Sequence, residues 1–253
     1  FVYPWEGTTV IGTTDLDHDE DLDLEASISD QEVDYLIKAF NSQFPSNELK
    51  RSDVLSTWAG VRPVIGAEKS KDPSKERRDH AVWSDSGLIT VSGGKLTTFR
   101  LIALDALAAA KNNLPAEKEF FDDRVFSTPK ITARSLSPEN TSWGQRLLGR
   151  YGEKAIELAN NSSLDEQQNL GETEFSIAEC RWAVQYEAVE HLDDLLLRRT
   201  RLGMCLPNGG TALYPALKEI LLSNRGWDDE RWQKEVNRYE IIWKNHYSLP
   251  NNS

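Results

Sequence analysis

Cysteine is scarce in this chain. Among 253 residues there are two, Cys180 and Cys205, both in apolar helical contexts and neither with metal-ligand spacing. That excludes a disulfide framework and points to a reducing compartment, so a cytoplasmic setting is expected. No apolar run reaches about 18 residues, so no membrane-spanning helix is encoded. No secretory leader pattern opens the sequence. Positive charge is also short: 29 Lys and Arg against 41 Asp and Glu leave a net charge of −12. Such a surface repels nucleic acid and anionic lipid unless basic residues cluster, and no basic stripe is long enough. No nucleic-acid partner is expected. Three catalytic signatures are missing as well. There is no Walker motif, no Ser/His/Asp nucleophile arrangement stands out, and no Gly-x-Gly-x-x-Gly opens a strand–helix unit.

What is present suffices for a folded core: 39% of residues are hydrophobic and eight are Trp. The length allows one large domain or two of about 100 to 200 residues each. Phe1-Val2-Tyr3-Pro4-Trp5 reads as the middle of a strand, with no Met and no polar lead-in. The chain is therefore expected to be a fragment whose natural N-terminal part is missing.

The most informative stretch is Gly93-Gly94-Lys95-Leu96-Thr97-Thr98-Phe99-Arg100. Leu88-Ile89-Thr90-Val91-Ser92 before it is short, apolar and β-branched. Phe99, Ile102, Ala103, Ala106, Leu107 and Ala110 after it fall on one helix face. The two glycines thus sit at a strand-to-helix turn, where a missing side chain lets a ligand reach the backbone. Free amides of the first helical turn carry partial positive charge. Lys95, Thr97 and Thr98 add a cation and two hydroxyls, a fitting cradle for electron-rich oxygens such as a flavin carbonyl or a phosphate.

Around this turn the expected class is α+β. Residues 1–14 read as a β-hairpin about Glu6-Gly7. Residues 15–25 are acidic; Asp15, Asp17, His18, Asp19, Glu20, Asp21 and Asp23 lack the glycine and terminal glutamate of a calcium loop, so a solvated loop and no metal site are expected. Ser29 with Glu32 forms a capping box, followed by the helical stripe Val33, Leu36, Ile37, Phe40 and Phe44. Pro63 keeps Arg62 extended, so residues 54–65 are strand or loop. Residues 66–79 are polar and read as a mobile loop. His80 to Trp83 and Leu88 to Ser92 form a second strand pair about Asp85-Ser86-Gly87. From about residue 126 strand signals stop. A second capping box, Ser176 with Glu179, opens a helix read as running to about Arg201, with Ile177, Cys180, Val184, Ala188, Leu192 and Leu195 as its buried stripe. Asn208-Gly209-Gly210 breaks the chain, and helices follow over 213–223 and 229–246. The expected domains are 1–112 and 126–253, joined by a linker over 113–125.

Arg62 and Arg78 are the best anion ligands, because guanidinium groups match phosphate oxygens in pairs. His80 is the one histidine near the glycine turn and the candidate catalytic residue. His191 and His246 read as structural. Arg198, Arg199 and Arg201 with Asp193 and Asp194 read as structural charge pairing at a helix end.

Taken in order, these motifs resemble the FAD-dependent, aerobic, quinone-linked glycerol-3-phosphate dehydrogenase family. Val10-Ile11-Gly12-Thr13-Thr14-Asp15 resembles its "IGTTD" strand and Gly60-Val61-Arg62-Pro63 its "GVRP". Arg78-Asp79-His80 resembles its "RD-Y/H" element, and residues 93–100 its "GGKLTTYR", with Phe99 in place of Tyr. Glu179-Cys180-Arg181-Trp182-Ala183-Val184 and Asp193-Asp194-Leu195-Leu196-Leu197-Arg198-Arg199-Thr200-Arg201 resemble its C-terminal signature. The resemblance implies oxidation of sn-glycerol 3-phosphate to dihydroxyacetone phosphate, with a hydride passed to FAD and electrons to a membrane quinone. It implies that Arg62 and Arg78 bind the substrate phosphate, and that Gly93, Gly94, Lys95, Leu96, Thr97 and Thr98 meet the flavin. It further implies that 1–112 is the later part of an FAD- and substrate-binding domain, with a mixed or antiparallel sheet, and that 126–253 is an all-α cap. The whole enzyme would sit peripherally at the inner face of a membrane, with room for a homodimer. The dinucleotide fingerprint is not among these residues, so the missing N-terminal FAD domain is itself an implied partner. The chain alone is expected to be inactive and not to hold FAD tightly, and the general base is left unassigned. A glycerophosphate oxidase using oxygen and a non-enzymatic helical interaction module are the alternatives.

Overall fold

A computed structural model of the chain describes residues 1–62, 79–114 and 130–250. Most of the loop read over 66–79, and the expected linker from 115 onward, lie outside the described residues. Among the described residues the architecture is α+β: two two-stranded antiparallel ladders, with helices dominating the second half. Contacts divide the chain into two units, Phe1–Thr14 with Leu22–Ala59 and Phe126–Ser253, and Asp15–Asp21 with Gly60–Val125.

In the larger unit, β1 (Val2–Trp5) and β2 (Thr8–Ile11) pair in the register Trp5 to Thr8 and Val2 to Ile11. The two-residue turn works because Glu6 and Gly7 both take positive φ, 50° and 76°. Helix α1 (Asp30–Gln43) opens on the expected capping box: Ser29 Oγ accepts from the Glu32 amide, and the Glu32 carboxylate accepts from the Ser29 amide at 2.9 Å. Thr14 Oγ1 also donates to that carboxylate at 2.6 Å. Burial raises the Glu32 pKa, but these donors outweigh it and hold the carboxyl below its ordinary value.

The helical region builds two cores from α4 (Thr141–Tyr151), α5 (Ala155–Asn160), α6 (Ile177–Tyr186), α8 (Tyr214–Arg225) and α9 (Asp229–His246), with short α3 (Ala133–Leu136) and α7 (Leu202–Cys205) between them. Helix α6 serves both: Ala178 and Trp182 pack with Trp143 and Leu147, while Cys180, Ala183 and Val184 pack with Leu217, Leu221 and Val236. Asn208, Gly209 and Gly210 all take positive φ and turn the chain ahead of α8, as their sequence suggested.

The helix expected to reach Arg201 stops at Tyr186. Ala188 takes φ 52° and is exposed, and Val189 is buried in its stead. Arg199 Nε donates to the Glu187 carbonyl, which the broken helix leaves open. The chain re-coils as a π-helical turn, Asp194–Arg199, closed by Thr200, whose amide and hydroxyl both donate to the Leu195 carbonyl.

The contact division departs from the expected split at residue 112. The hairpin tip is held by the helical region through Arg146, whose Nη1 lies 2.9 Å from Glu6 and whose Nε donates to Glu179 at 3.0 Å. Phe175 packs against both Arg146 and Arg150, its ring centre 4.4 and 4.5 Å from their guanidinium carbons. Burial raises the Glu179 carboxyl above its ordinary pKa against the pull of Arg146 and Ser176. Further along, the Thr57 amide donates to the Tyr247 carbonyl at 2.7 Å, and Ser56 Oγ to the Met204 carbonyl at 2.7 Å. These partners are far apart in sequence, so local patterning carries no sign of their contacts.

The smaller unit holds β3 (His80–Asp85), β4 (Leu88–Gly93) and α2 (Phe99–Ala110). The strands form a tight hairpin, Asp85 opposite Leu88 and His80 opposite Gly93, about Ser86 and Gly87 at positive φ. None of its described residues is fully buried.

Candidate functional site

The glycine turn has the geometry its sequence indicates. Strand β4 ends at Gly93; Gly93 and Gly94 take φ 76° and 86°, and Lys95 is extended. A 3₁₀ turn, Leu96–Thr98, then leads into α2. Positive φ at two successive positions suits glycine, since a Cβ there would crowd the following carbonyl. A Cβ on Gly94 would also lie 2.5 Å from Ile102 Cδ1 and 3.2 Å from His80 Cβ, so the turn rests on those two side chains. Lys95 and Thr97 are exposed, and Leu96 keeps 88% of its surface. Thr98 behaves differently: its Oγ1 accepts from the Lys95 amide at 3.3 Å and donates to the Lys95 carbonyl at 3.0 Å. Its hydroxyl braces the turn from within.

His80, the candidate catalytic residue, lies opposite Gly93 on the last rung of the ladder. Its side chain is 17% exposed, and Nε2 lies 2.7 Å from Asp105 Oδ2 on α2. Arg62 is half-exposed, its Nη1 3.7 Å from Asp15 Oδ2. Arg78 lies outside the described residues. Two partners escaped the reading of the sequence: Asp15, seen only as part of an acidic loop, and Asp105. A signal for Asp105 existed, because it is the one charge in the apolar run from Leu101 to Ala110.

The other polar clusters are charge-neutralised. His191 Nδ1 lies 3.1 Å from Glu235, and His191, Asp193 and Glu235 bring ligand-type atoms within 4.8 Å of one another, a spacing that could hold a metal. Arg198 and Arg238 both pair with Asp193, however, and Arg231 pairs with Glu235 at 2.8 Å. Three guanidinium groups thus already occupy the carboxylates. Burial drives the Cys180 thiol far above its ordinary pKa and pushes Cys205 up to about 11, so neither is poised as a thiolate. Among the described residues no helix is long and apolar enough to cross a membrane.

Comparison with known proteins finds relatives along both parts of the chain. Residues 1–100 match the family model for FAD dependent oxidoreductases, and residues 127–232 match that for the C-terminal domain of alpha-glycerophosphate oxidase. The mitochondrial glycerol-3-phosphate dehydrogenase of Mus musculus is 30% identical over 93% of this chain and 34% of its own length. A glycerol-3-phosphate dehydrogenase of Mycobacterium leprae is 31% identical over 94% of this chain and 43% of its own. The aerobic glycerol-3-phosphate dehydrogenase of Staphylococcus haemolyticus is 32% identical over 79% of this chain and 39% of its own. The chain thus spans well under half the length of these relatives. The fold is that of the glycerol-3-phosphate dehydrogenase of Bacillus halodurans, solved with FAD, at a TM-score of 0.70 and 24% identity over 96% of this chain and 49% of that one. Two family models in order along the chain, relatives of one name and the matching fold agree: the chain carries part of an FAD dependent oxidoreductase domain followed by the C-terminal domain of the alpha-glycerophosphate oxidase type, and it resembles glycerol-3-phosphate dehydrogenases across both.

Proposed function

We propose that this chain carries the substrate-phosphate arginines, the flavin-facing turn and the helical cap of an enzyme that oxidises sn-glycerol 3-phosphate to dihydroxyacetone phosphate. The observation that supports it most is the turn itself. Two glycines at positive φ and exposed Lys95 and Thr97 leave backbone and cation open to a flat, electron-rich ligand. These residues fit a flavin edge: Gly93, Gly94, Lys95, Leu96 and Thr97 would border it, and Thr98 would hold the turn rigid. FAD supplies the hydride acceptor when bound. The protein's part is orientation and charge. Arg62, with Arg78 as its partner, would take the phosphate and set the carbinol carbon toward the flavin face. The pyrophosphate fingerprint is not among these 253 residues, so the chain by itself is not expected to turn over. We assign quinone as the electron acceptor and the inner membrane face as the working place, following the aerobic members it resembles. Oxygen is the rival acceptor, and the oxidase name of the cap's family model keeps it in view.

Two measurements test this reading. A charge-assisted bond to phosphate contributes about 1.5–3 kcal/mol, so Arg62→Ala in the whole enzyme should raise the KM for glycerol 3-phosphate at least tenfold. Arg62→Lys should recover only part of it. A KM within twofold of wild type, with flavin retained, would reject the assignment of Arg62. The isolated 253-residue chain, mixed with FAD and desalted, should emerge colourless; a stoichiometric flavin spectrum would contradict the dependence on a separate pyrophosphate site.

A further inference from the structure

The turn read as flavin-facing is held from behind by a pair that its motif does not contain. His80 begins β3, opposite Gly93, the last residue of β4. Its Nε2 reaches Asp105 Oδ2, 2.7 Å away in the second turn of α2. Because an ionised carboxylate only accepts, Nε2 carries the hydrogen of this bond. The bond therefore closes a ring of structure: β3, the last ladder rung, the Gly93-Gly94-Lys95 turn, the 3₁₀ turn, α2 and back to His80. Everything the motif presents to a ligand lies inside that ring.

Apolar packing does little to hold α2 in place. No residue of α2 is fully buried, and Phe99, Leu101 and Leu107 are 46%, 54% and 43% exposed. The turn leans on His80 Cβ and Ile102 Cδ1, so the angle between α2 and β3 sets its shape. With thin packing, the short His80–Asp105 bond is a direct polar tie between the two elements.

We propose that Asp105 is the positioning residue of the glycine turn: by accepting from His80 Nε2 it clamps α2 to the first rung of β3–β4 and holds Gly93-Gly94-Lys95 ready for the flavin. The clamp itself is a property of the chain; its use for flavin rests on the function proposed above, and the test separates the two.

Nuclear magnetic resonance of the 253-residue chain reads the clamp without any cofactor. Asp105→Ala should move the amide resonances of Gly93, Gly94 and Lys95 and let the His80 ring exchange between its two tautomers. Asp105→Asn, whose carbonyl oxygen still accepts, should keep both close to wild type. Asp85→Ala, at the far end of the hairpin, should leave the turn untouched. Should Asp105→Ala not fold, Asp105→Ser, too short to reach the ring, replaces it. Unmoved turn amides would overturn the clamp, as would equal shifts from Asp85→Ala. In the FAD-loaded whole enzyme, Asp105→Ala should raise the Kd for FAD about tenfold and Asp105→Asn less than twofold. Moved amides with an unchanged Kd would leave the clamp standing and refute the flavin reading of the turn.

Discussion

The helical region and the glycine-turn unit are stabilised in opposite ways. In the first, Leu147, Leu192, Leu195, Leu196, Leu202 and Leu217 are all at 0% exposure, and α6 alone buries six of its ten residues. In the second no described residue is fully buried, and Leu88, Leu96 and Leu101 are 68%, 88% and 54% exposed. The helical region owes its shape to packing, which tolerates no void. The smaller unit shows a ladder, three positive-φ glycines and the His80–Asp105 hydrogen bond. Its turns are specified by neighbours in sequence, and among the described residues several of its large apolar side chains are well exposed.

The sharpest way to break this contrast is a cavity in the packed region. Leu217→Ala should lower unfolding free energy by about 2–5 kcal/mol, read from urea melts followed at the tryptophans. A loss below about 1 kcal/mol would mean that this core is looser than its burial implies. Acid offers a smaller effect. Burial raises the Glu166 pKa, but the Arg181 hydrogen bond and the Ser163 amide outweigh it and hold the carboxyl below its ordinary value. A carboxyl depressed in the folded state stabilises fully above its unfolded pKa and loses that contribution as pH falls through the folded value. Both partners are partly exposed, so Glu166→Gln should cost up to about 1 kcal/mol near neutrality and nothing in strong acid. Equal loss at both pH values would assign the effect to packing. The smallest change is expected in the open unit. Leu107, 43% exposed on α2, should accept alanine within about 0.5 kcal/mol, because alanine is the better helix former and little contact is removed. A loss of several kcal/mol would show that this face is covered in solution, by a second copy or another part of the protein, and would erase the contrast.

Features that depend on neighbours in sequence were legible. The capping boxes Ser29–Glu32 and Ser176–Glu179, the turns at Glu6-Gly7 and Ser86-Gly87, the strand–glycine–helix passage and the break at Asn208-Gly209-Gly210 each rest on a few adjacent residues. Their backbone preferences act before any long-range contact forms. The family resemblance was legible for the same reason, since its motifs are short contiguous strings. The stop at Tyr186 was not. Alanine at position 188 is a strong helix former, and nothing nearby opposes a continuous helix; burial of Val189 and the Arg199 bond to the Glu187 carbonyl decide the matter.

By itself, then, the sequence placed the two hairpins, the starts of α1 and α6, the helical character of the second half and the glycine turn between β4 and α2. Tertiary structure alone decided that Glu6 belongs with Arg146 and Glu179, that Thr57 lies along the end of α9, that Asp15 stands beside Arg62, and that Asp105 reaches His80. Propensity and periodicity are local energies, written in neighbouring side chains. A salt bridge or hydrogen bond between residues as much as 222 positions apart is worth little until the chain has already closed the loop between them.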